Sequence, residues 1–194
     1  PTVKRRSGFL VPFISSNSTT GFGVGAPYFL AIADDKDLTI TPKLYARENP
    51  LLLAEYRQDF KNSFLIVDAG FTEGYKESSA TKEKGSKSHF FSKFNFDFLD
   101  TENKNSNLNI NIQKVSSDTY LKAYDVNTNL ANNNMDILEN TINYNYQNED
   151  LFLGANVSAF NDLSVANNSK YEFLYPDINL DKNLILDDRY GSID

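Results

Sequence analysis

The chain has 194 residues, 40% hydrophobic and 13% aromatic, enough for one sizeable domain and too apolar for a disordered tail. Its net charge of -7 argues against a nucleic-acid partner, whose phosphates call for a basic face. With no cysteine in the span, disulfide frameworks and thiolate metal sites are excluded within it. No run approaches the roughly 18 apolar residues of a transmembrane helix, which leaves short alternating barrel strands open. The chain does not begin with Met and carries no signal peptide. It stops at Tyr190-Gly191-Ser192-Ile193-Asp194. Residues 1–194 are therefore expected to be a single internal segment of a longer protein.

The chain opens on Lys4, Arg5 and Arg6. This positive cluster is either solvated or set to meet an anionic lipid head group. Two strand-like runs follow, Ser7-Gly8-Phe9-Leu10-Val11-Pro12 and Gly21-Phe22-Gly23-Val24-Gly25-Ala26-Pro27-Tyr28-Phe29, each with a proline in its interior. Proline has no N–H to give to a ladder and is normally kept to edge strands, strand starts or bulges. Two neighbouring strands of this kind predict a seam that pairs weakly. Gly21, Gly23 and Ala26 only loosely imitate a dinucleotide fingerprint, because Pro27 stands where the following helix would need an N–H.

From residue 38 onward the period is two. Leu38, Ile40 and Leu44 alternate with Thr39, Thr41 and Lys43. Leu52, Ala54 and Tyr56 alternate with Glu55, Arg57 and Asp59. The same holds for Leu65, Val67 and Ala69 around Asp68, and for Phe90, Phe94, Phe96 and Phe98 against Lys93, Asn95 and Asp97. It continues through Leu108, Ile110 and Ile112, then Ile142 and Tyr144, then Leu151, Leu153 and Val157. The expected fold is all-β: an antiparallel up-and-down meander of about ten strands, forming a partial, open and curved transmembrane β-barrel. Phe90, Phe94, Phe96, Leu108, Ile110, Ile112, Leu151, Leu153 and Val157 are expected to face lipid. Glu55, Arg57, Asp68, Lys93, Asp97, Asn109 and Asn111 are expected to face the lumen. Strands of about ten residues can cross a bilayer at a tilt. A soluble β-sandwich module with one wet face is the alternative outside the membrane. An ordinary outer-membrane channel or autotransporter-type barrel is the alternative within it.

The connectors alternate in length, short at 34–37, 61–62 and 147–150, long at 76–87, 116–133 and 162–170. Outer-membrane barrels have this asymmetry, with tight periplasmic turns and long external loops. The stretches 16–20 and 100–107 break the trend. Helix is expected at most for a turn or two, near residues 118–124.

Chemistry-bearing residues are sparse. His89 is the single histidine, too few for a histidine zinc site, and reads as a polar or interfacial side chain. The in-strand carboxylates alternate with Lys, Arg, Asn and Thr, as on a solvated face rather than in an acid/base pair. Asp34-Asp35-Lys36-Asp37 lacks the glycine and distal glutamate of a calcium loop and reads as a tight turn. No catalytic residue, metal site or cofactor is expected.

The opening Lys4-Arg5-Arg6-Ser7-Gly8-Phe9-Leu10-Val11-Pro12 resembles the start of the barrel in the LptD family of lipopolysaccharide-assembly proteins, also called organic solvent tolerance proteins. Ala26-Pro27-Tyr28-Phe29-Leu30-Ala31-Ile32-Ala33 and Asp37-Leu38-Thr39-Ile40-Thr41-Pro42 continue that resemblance. Glu55-Tyr56-Arg57 is similar to the family's fourth strand. Ser117-Asp118-Thr119-Tyr120-Leu121-Lys122-Ala123-Tyr124-Asp125 is similar to the loop after its seventh strand, and Tyr175-Pro176-Asp177-Ile178 to the entry to its tenth. The turn at Asp34-Asp35 lacks the family's usual proline, and Ala123 stands where an acidic residue is common. The resemblance implies a β-jelly-roll domain before this segment and more strands after it. It implies a location in the outer membrane of a Gram-negative bacterium and no enzymatic activity. The implied partners are lipopolysaccharide, outer-membrane lipid, an LptE-like plug lipoprotein and an LptA-like periplasmic bridge. Lipopolysaccharide would leave sideways through a lateral gate between the first and last strands. On that basis Pro12, Pro27 and Gly8 are the expected gate residues, and Lys4, Arg5 and Arg6 the expected head-group contacts.

Overall fold

The computed structural model describes residues 5–79, 82–101, 103–165, 171–185 and 192–193. The strands are β1 (Gly8–Phe9), β2 (Phe13–Asn17), β3 (Gly21–Gly25), β4 (Tyr28–Ala33), β5 (Lys36–Tyr45), β6 (Leu51–Phe60) and β7 (Ser63–Ser79). They continue with β8 (Lys82–Thr101), β9 (Lys104–Val115), β10 (Ile137–Asn148), β11 (Leu151–Asp162) and β12 (Tyr171–Lys182). One helical turn, α1 (Tyr120–Ala123), lies between β9 and β10. These twelve strands form one open sheet, and β13 (Leu184–Ile185) pairs separately with β14 (Ser192–Ile193). From β5 to β12 each strand pairs antiparallel with its sequence neighbours. The all-β meander therefore stands, as ten crossings of which the first two are each broken in half. No second sheet packs on it among the described residues, so the sandwich arrangement is not present.

Two connectors are largely strand where loop was expected. The long loop at 76–87 is instead a continuation of β7 and β8, which run on to Ser79 and from Lys82. Both faces of that ribbon are polar, so the apolar/polar alternation that reveals a strand is missing from its sequence. Bulges around Gly74 separate it from the regular ladder below. Buried Glu48 braces its base, accepting from the Lys76 amide at 2.9 Å and Lys82 Nζ at 3.2 Å. The stretch 100–107 likewise belongs largely to strands, with β8 ending at Thr101 and β9 starting at Lys104.

Directly paired residues share a face, which sorts the side chains. Phe94 pairs Leu65 and Ile110, Ile110 pairs Ile142, and Ile142 pairs Val157, an apolar row across five strands. Many residues of this face are exposed, among them Leu52, Phe71, Phe90, Ile112 and Ile142. The opposite face carries the core. There Tyr45, Leu51, Leu53, Tyr75 and Phe91 from the sheet close around Tyr120, Leu121, Ala123, Tyr124, Val126 and Ala131, and Leu138 at the start of β10 joins the same cluster. The second group comes from the connector between β9 and β10, which folds onto the sheet instead of standing out as an external loop. Its contacts run from Asn17 on β2 to Leu138 on β10.

Phe91 and Phe90 are adjacent but lie on opposite faces, fully buried and about half exposed respectively. Phe91→Ala should cost about 3–5 kcal/mol, the range for deleting a buried phenylalanine. Phe90→Ala should cost clearly less when both are unfolded by denaturant in detergent. A larger loss at Phe90 would put the core on the other face.

Candidate functional site

The first two crossings break at the same level. Leu10, Val11 and Pro12 separate β1 from β2, and Ala26 and Pro27 separate β3 from β4. The expectation of strands running through these prolines is thus corrected. A residue without an N–H, with φ fixed by its ring, gives no ladder bond where it stands. Below the break Phe9 pairs Tyr28, and above it Phe13 pairs Gly25, so three residues of the first crossing face two of the second. The first crossing carries one extra residue, as in a bulge. The second keeps its register on β5 across the break, with Gly25 opposite Lys43 and Tyr28 opposite Ile40. Two backbone bonds cross the break. The Leu10 amide donates to the Pro27 carbonyl at 2.9 Å, and the Ala26 amide to the Pro42 carbonyl at 3.2 Å. Above it the Phe13 ring lies over Gly25, where a Cβ would come within 2.3 Å of the ring. Gly8 pairs Phe29 below it, and a Cβ there would meet nothing within 4 Å.

The cationic entry segment is only partly free. Arg5 Nη1 donates to Asp37 Oδ2 at 3.0 Å, and Arg57 Nε to Asp37 Oδ1 at 2.9 Å. Asp37 is buried between them, while Arg5 is about half exposed. Arg5 therefore reaches past the second crossing to the third, and Ser7 Oγ, accepting from the Ala31 amide at 2.9 Å, fastens the same segment. Arg6 is exposed. Lys4 lies outside the described residues.

Beside the seam, the infolded connector is held by its carbonyl end. The Tyr124 carbonyl accepts from Lys43 Nζ at 3.3 Å and Tyr45 Oη at 2.8 Å. The Asp125 carbonyl accepts from Lys43 Nζ at 2.8 Å, and the Ala123 carbonyl from Asn17 Nδ2 at 3.3 Å. These are carbonyls that the end of a helix leaves without an intrahelical partner. A cavity of about 900 Å³ lies between connector and seam. Leu10, Phe13, Pro27 and Phe29 line it from the seam, and Lys43 and Arg57 from the sheet.

Deeper in, a polar chain joins connector to sheet. Tyr120 Oη lies 3.1 Å from His89 Nδ1, and His89 Nε2 lies 3.3 Å from Asp68 Oδ1. Thr128 Oγ1 donates to the other Asp68 oxygen. Asp68 thus takes the Nε2 side of the ring and the phenol the Nδ1 side. Burial pushes the Tyr120 phenol well above its ordinary range, so it stays a neutral donor. Gly70 leaves room for this arrangement, since a Cβ there would lie 2.5 Å from His89 Cε1 and 2.6 Å from Tyr120 Oη. Asn129 Nδ2 adds bonds of 2.8 Å to both oxygens of Glu55.

Strand pairing places Glu55, Arg57, Asp68, Lys93 and Asp97 on the face that carries the connector. Glu55, Arg57 and Asp68 meet at the cavity beside the seam. Lys93 lines a separate groove rich in asparagine, with Asn95, Asn109, Asn111 and Asn143. Asp97 is exposed and joins neither. Reading His89 as merely polar or interfacial missed its role as the link between Asp68 and Tyr120. Tyr120, Leu121 and Tyr124, apolar at helical spacing in a connector, were the available signal for a turn that packs inward.

No family model matches the chain. Over part of its length it is similar to several proteins named LPS-assembly protein LptD. The relative from Nitrosococcus oceani is 27% identical over 152 residues, covering 74% of this chain and 18% of its own length. That from Burkholderia cenocepacia is 43% identical over 54 residues, covering 28% of this chain and 7% of its own. That from Pseudomonas aeruginosa is 38% identical over 68 residues, 35% of this chain and 7% of its own. The chain thus spans less than a fifth of the length of these relatives.

Gly70→Ala should force His89 and Tyr120 apart and loosen the connector, at a cost of about 1–3 kcal/mol for overpacking. Gly8→Ala, with open space around it, should be close to neutral. Limited proteolysis between β9 and β10 checks this, with faster cleavage expected for Gly70→Ala alone. Equal cleavage of the two variants would contradict the packing described for Gly70.

Proposed function

We propose that this chain forms the first strands of an outer-membrane barrel that assembles lipopolysaccharide at the cell surface, as in the LptD proteins it resembles. On this reading the exposed apolar face meets lipid, and Glu55, Arg57, Asp68, Lys93 and Asp97 face the lumen. An exposed apolar surface of this extent on a soluble protein marks a contact with membrane or partner. The protein acts as a transporter and carries no catalytic group in this span. Jelly-roll, closing strands, an LptE-like plug and an LptA-like bridge complete the machine outside it.

The observation that carries the reading is the break shared by the first two crossings. Pro12 and Pro27, with Gly8 below them, form one side of a lateral gate. The lipid slips out where the sheet holds least, and the cavity lined by Leu10, Phe13 and Phe29 lies directly behind. Lys43 and Arg57 in the same cavity supply positive charge for an anionic head group. Arg5 and Arg6 stand at the base of the first crossing to meet such a group, Arg5 by exchanging Asp37 for it.

Pro12→Ala with Pro27→Ala in the whole protein gives each site a backbone donor, each bond worth roughly 0.5–1.5 kcal/mol. Together they should slow delivery of lipopolysaccharide to the surface by about tenfold, since 1.4 kcal/mol is a factor of ten. The amount of folded barrel should stay normal, and each single change should act more mildly. Normal delivery at normal barrel levels would sink the gate and leave an ordinary channel.

A further inference from the structure

A third proline stands at the same level. Pro42 lies inside β5, directly across from the break between β3 and β4. In an antiparallel ladder, closely bonded partners exchange two N–H···O bonds, and the polar groups of one residue point to the same neighbour. The Ala26 amide donates to the Pro42 carbonyl at 3.2 Å. The return bond, from residue 42 to the Ala26 carbonyl, cannot form because proline has no N–H. The same reasoning applies one crossing earlier. The Leu10 amide donates to the Pro27 carbonyl, and Pro27 has nothing to give back.

The direction alternates along each strand, which fixes the remaining case. Ala26 faces β5 and Pro27 faces the first crossing, so Gly25 also faces the first crossing, where its partner is Phe13. Pro12, one residue before Phe13, turns its nitrogen to the free edge. Three successive seams therefore each lose one donor at one level: the free edge through Pro12, the first seam through Pro27, and the second seam through Pro42.

We propose that Pro42 is the hinge residue of the gate, so that the hairpin of β2 and β3 swings as a flap on β5. The flap holds to β5 over a short stretch. Above the break, β3 keeps three paired positions on β5, at Gly23, Val24 and Gly25, and the Ala46 and Arg47 amides donate to the Phe22 and Thr20 carbonyls at 2.9 and 3.2 Å. At its tip, Asn17 reaches the infolded connector through a 3.3 Å bond to the Ala123 carbonyl. The weak level therefore does not end at the first crossing. It reaches one strand further in, and the moving part is a hairpin rather than a single strand.

This inference rests on the gate reading, and the experiment separates the two. In the whole protein, Pro42→Ala restores one donor and should slow lipopolysaccharide delivery about two- to tenfold, the value of one backbone bond. Pro50→Ala, in the connector before β6, should leave delivery unchanged. Spin labels at the exposed positions Ile14 and Leu52 should give a broad distance distribution in the parent and a narrower one in Pro42→Ala. Unchanged delivery and an unchanged distribution for Pro42→Ala, where the Pro12 and Pro27 double variant is slow, overturns the hinge and spares the gate. If neither variant is slow, both fall. Should Pro42→Ala and Pro42→Thr both fail to assemble, the ring's fixed φ is what the position needs, and the hinge is overturned.

Discussion

A β-ladder holds by reciprocal backbone bonds, and a proline can only accept them. That single constraint organises this sheet. Ten positions pair without interruption between β6 and β7, while the first crossing meets the second in two pieces of two and five. The pieces are separated where Pro12, Pro27 and Pro42 line up. The extra residue in the first crossing lets its two halves follow different courses over a second crossing whose register on β5 is unchanged across the break, shifting only further down between Ala31 and Ala33.

The infolded connector gives the contrast its mechanical meaning. Its apolar side chains pack on β5, β6, β7, β8 and β10, and the buried chain from Tyr120 through His89 to Asp68 pins it to β7 and β8. The central strands are thereby backed by a core of their own. The β2–β3 hairpin has less of this backing: a hydrogen bond from Asn17, the Phe13 ring near the Lys43 ammonium, 5.7 Å from its centroid, and the Tyr45 ring against Gly23. Firm ground thus begins at β5, whose Lys43 and Tyr45 grip the connector's carbonyl end. The proposed gate would need this division: a loose margin to move and a post that does not.

Much of the fold was legible in the sequence because one face is apolar and the other polar, and a period of two has few other readings. The rows through Phe94, Ile110, Ile142 and Val157 follow directly from it. What escaped was whatever alternation cannot encode. The β7–β8 ribbon is polar on both faces, so residues 76–87 looked like a loop. The connector looked external because its length was counted and its apolar spacing at Tyr120, Leu121 and Tyr124 was not. His89 and Asp68 read as ordinary polar positions, since the bond between them depends on strand register. Pro42 sat in view within Thr41-Pro42, but its meaning depends on which neighbour its nitrogen faces, and that is a property of pairing.

The most direct measurement is amide exchange along the second crossing in a detergent or lipid-disc preparation of the whole protein. Val24, Ala26 and Tyr28 all turn their amides toward β5, so they share one partner strand and the same distance from the edge. A rung with both bonds is protected better than one with a single bond in a broken stretch. The Ala26 amide should exchange clearly faster than the Val24 and Tyr28 amides on either side. Equal protection at all three would mean that the ladder is whole at this level and that the prolines do not weaken it.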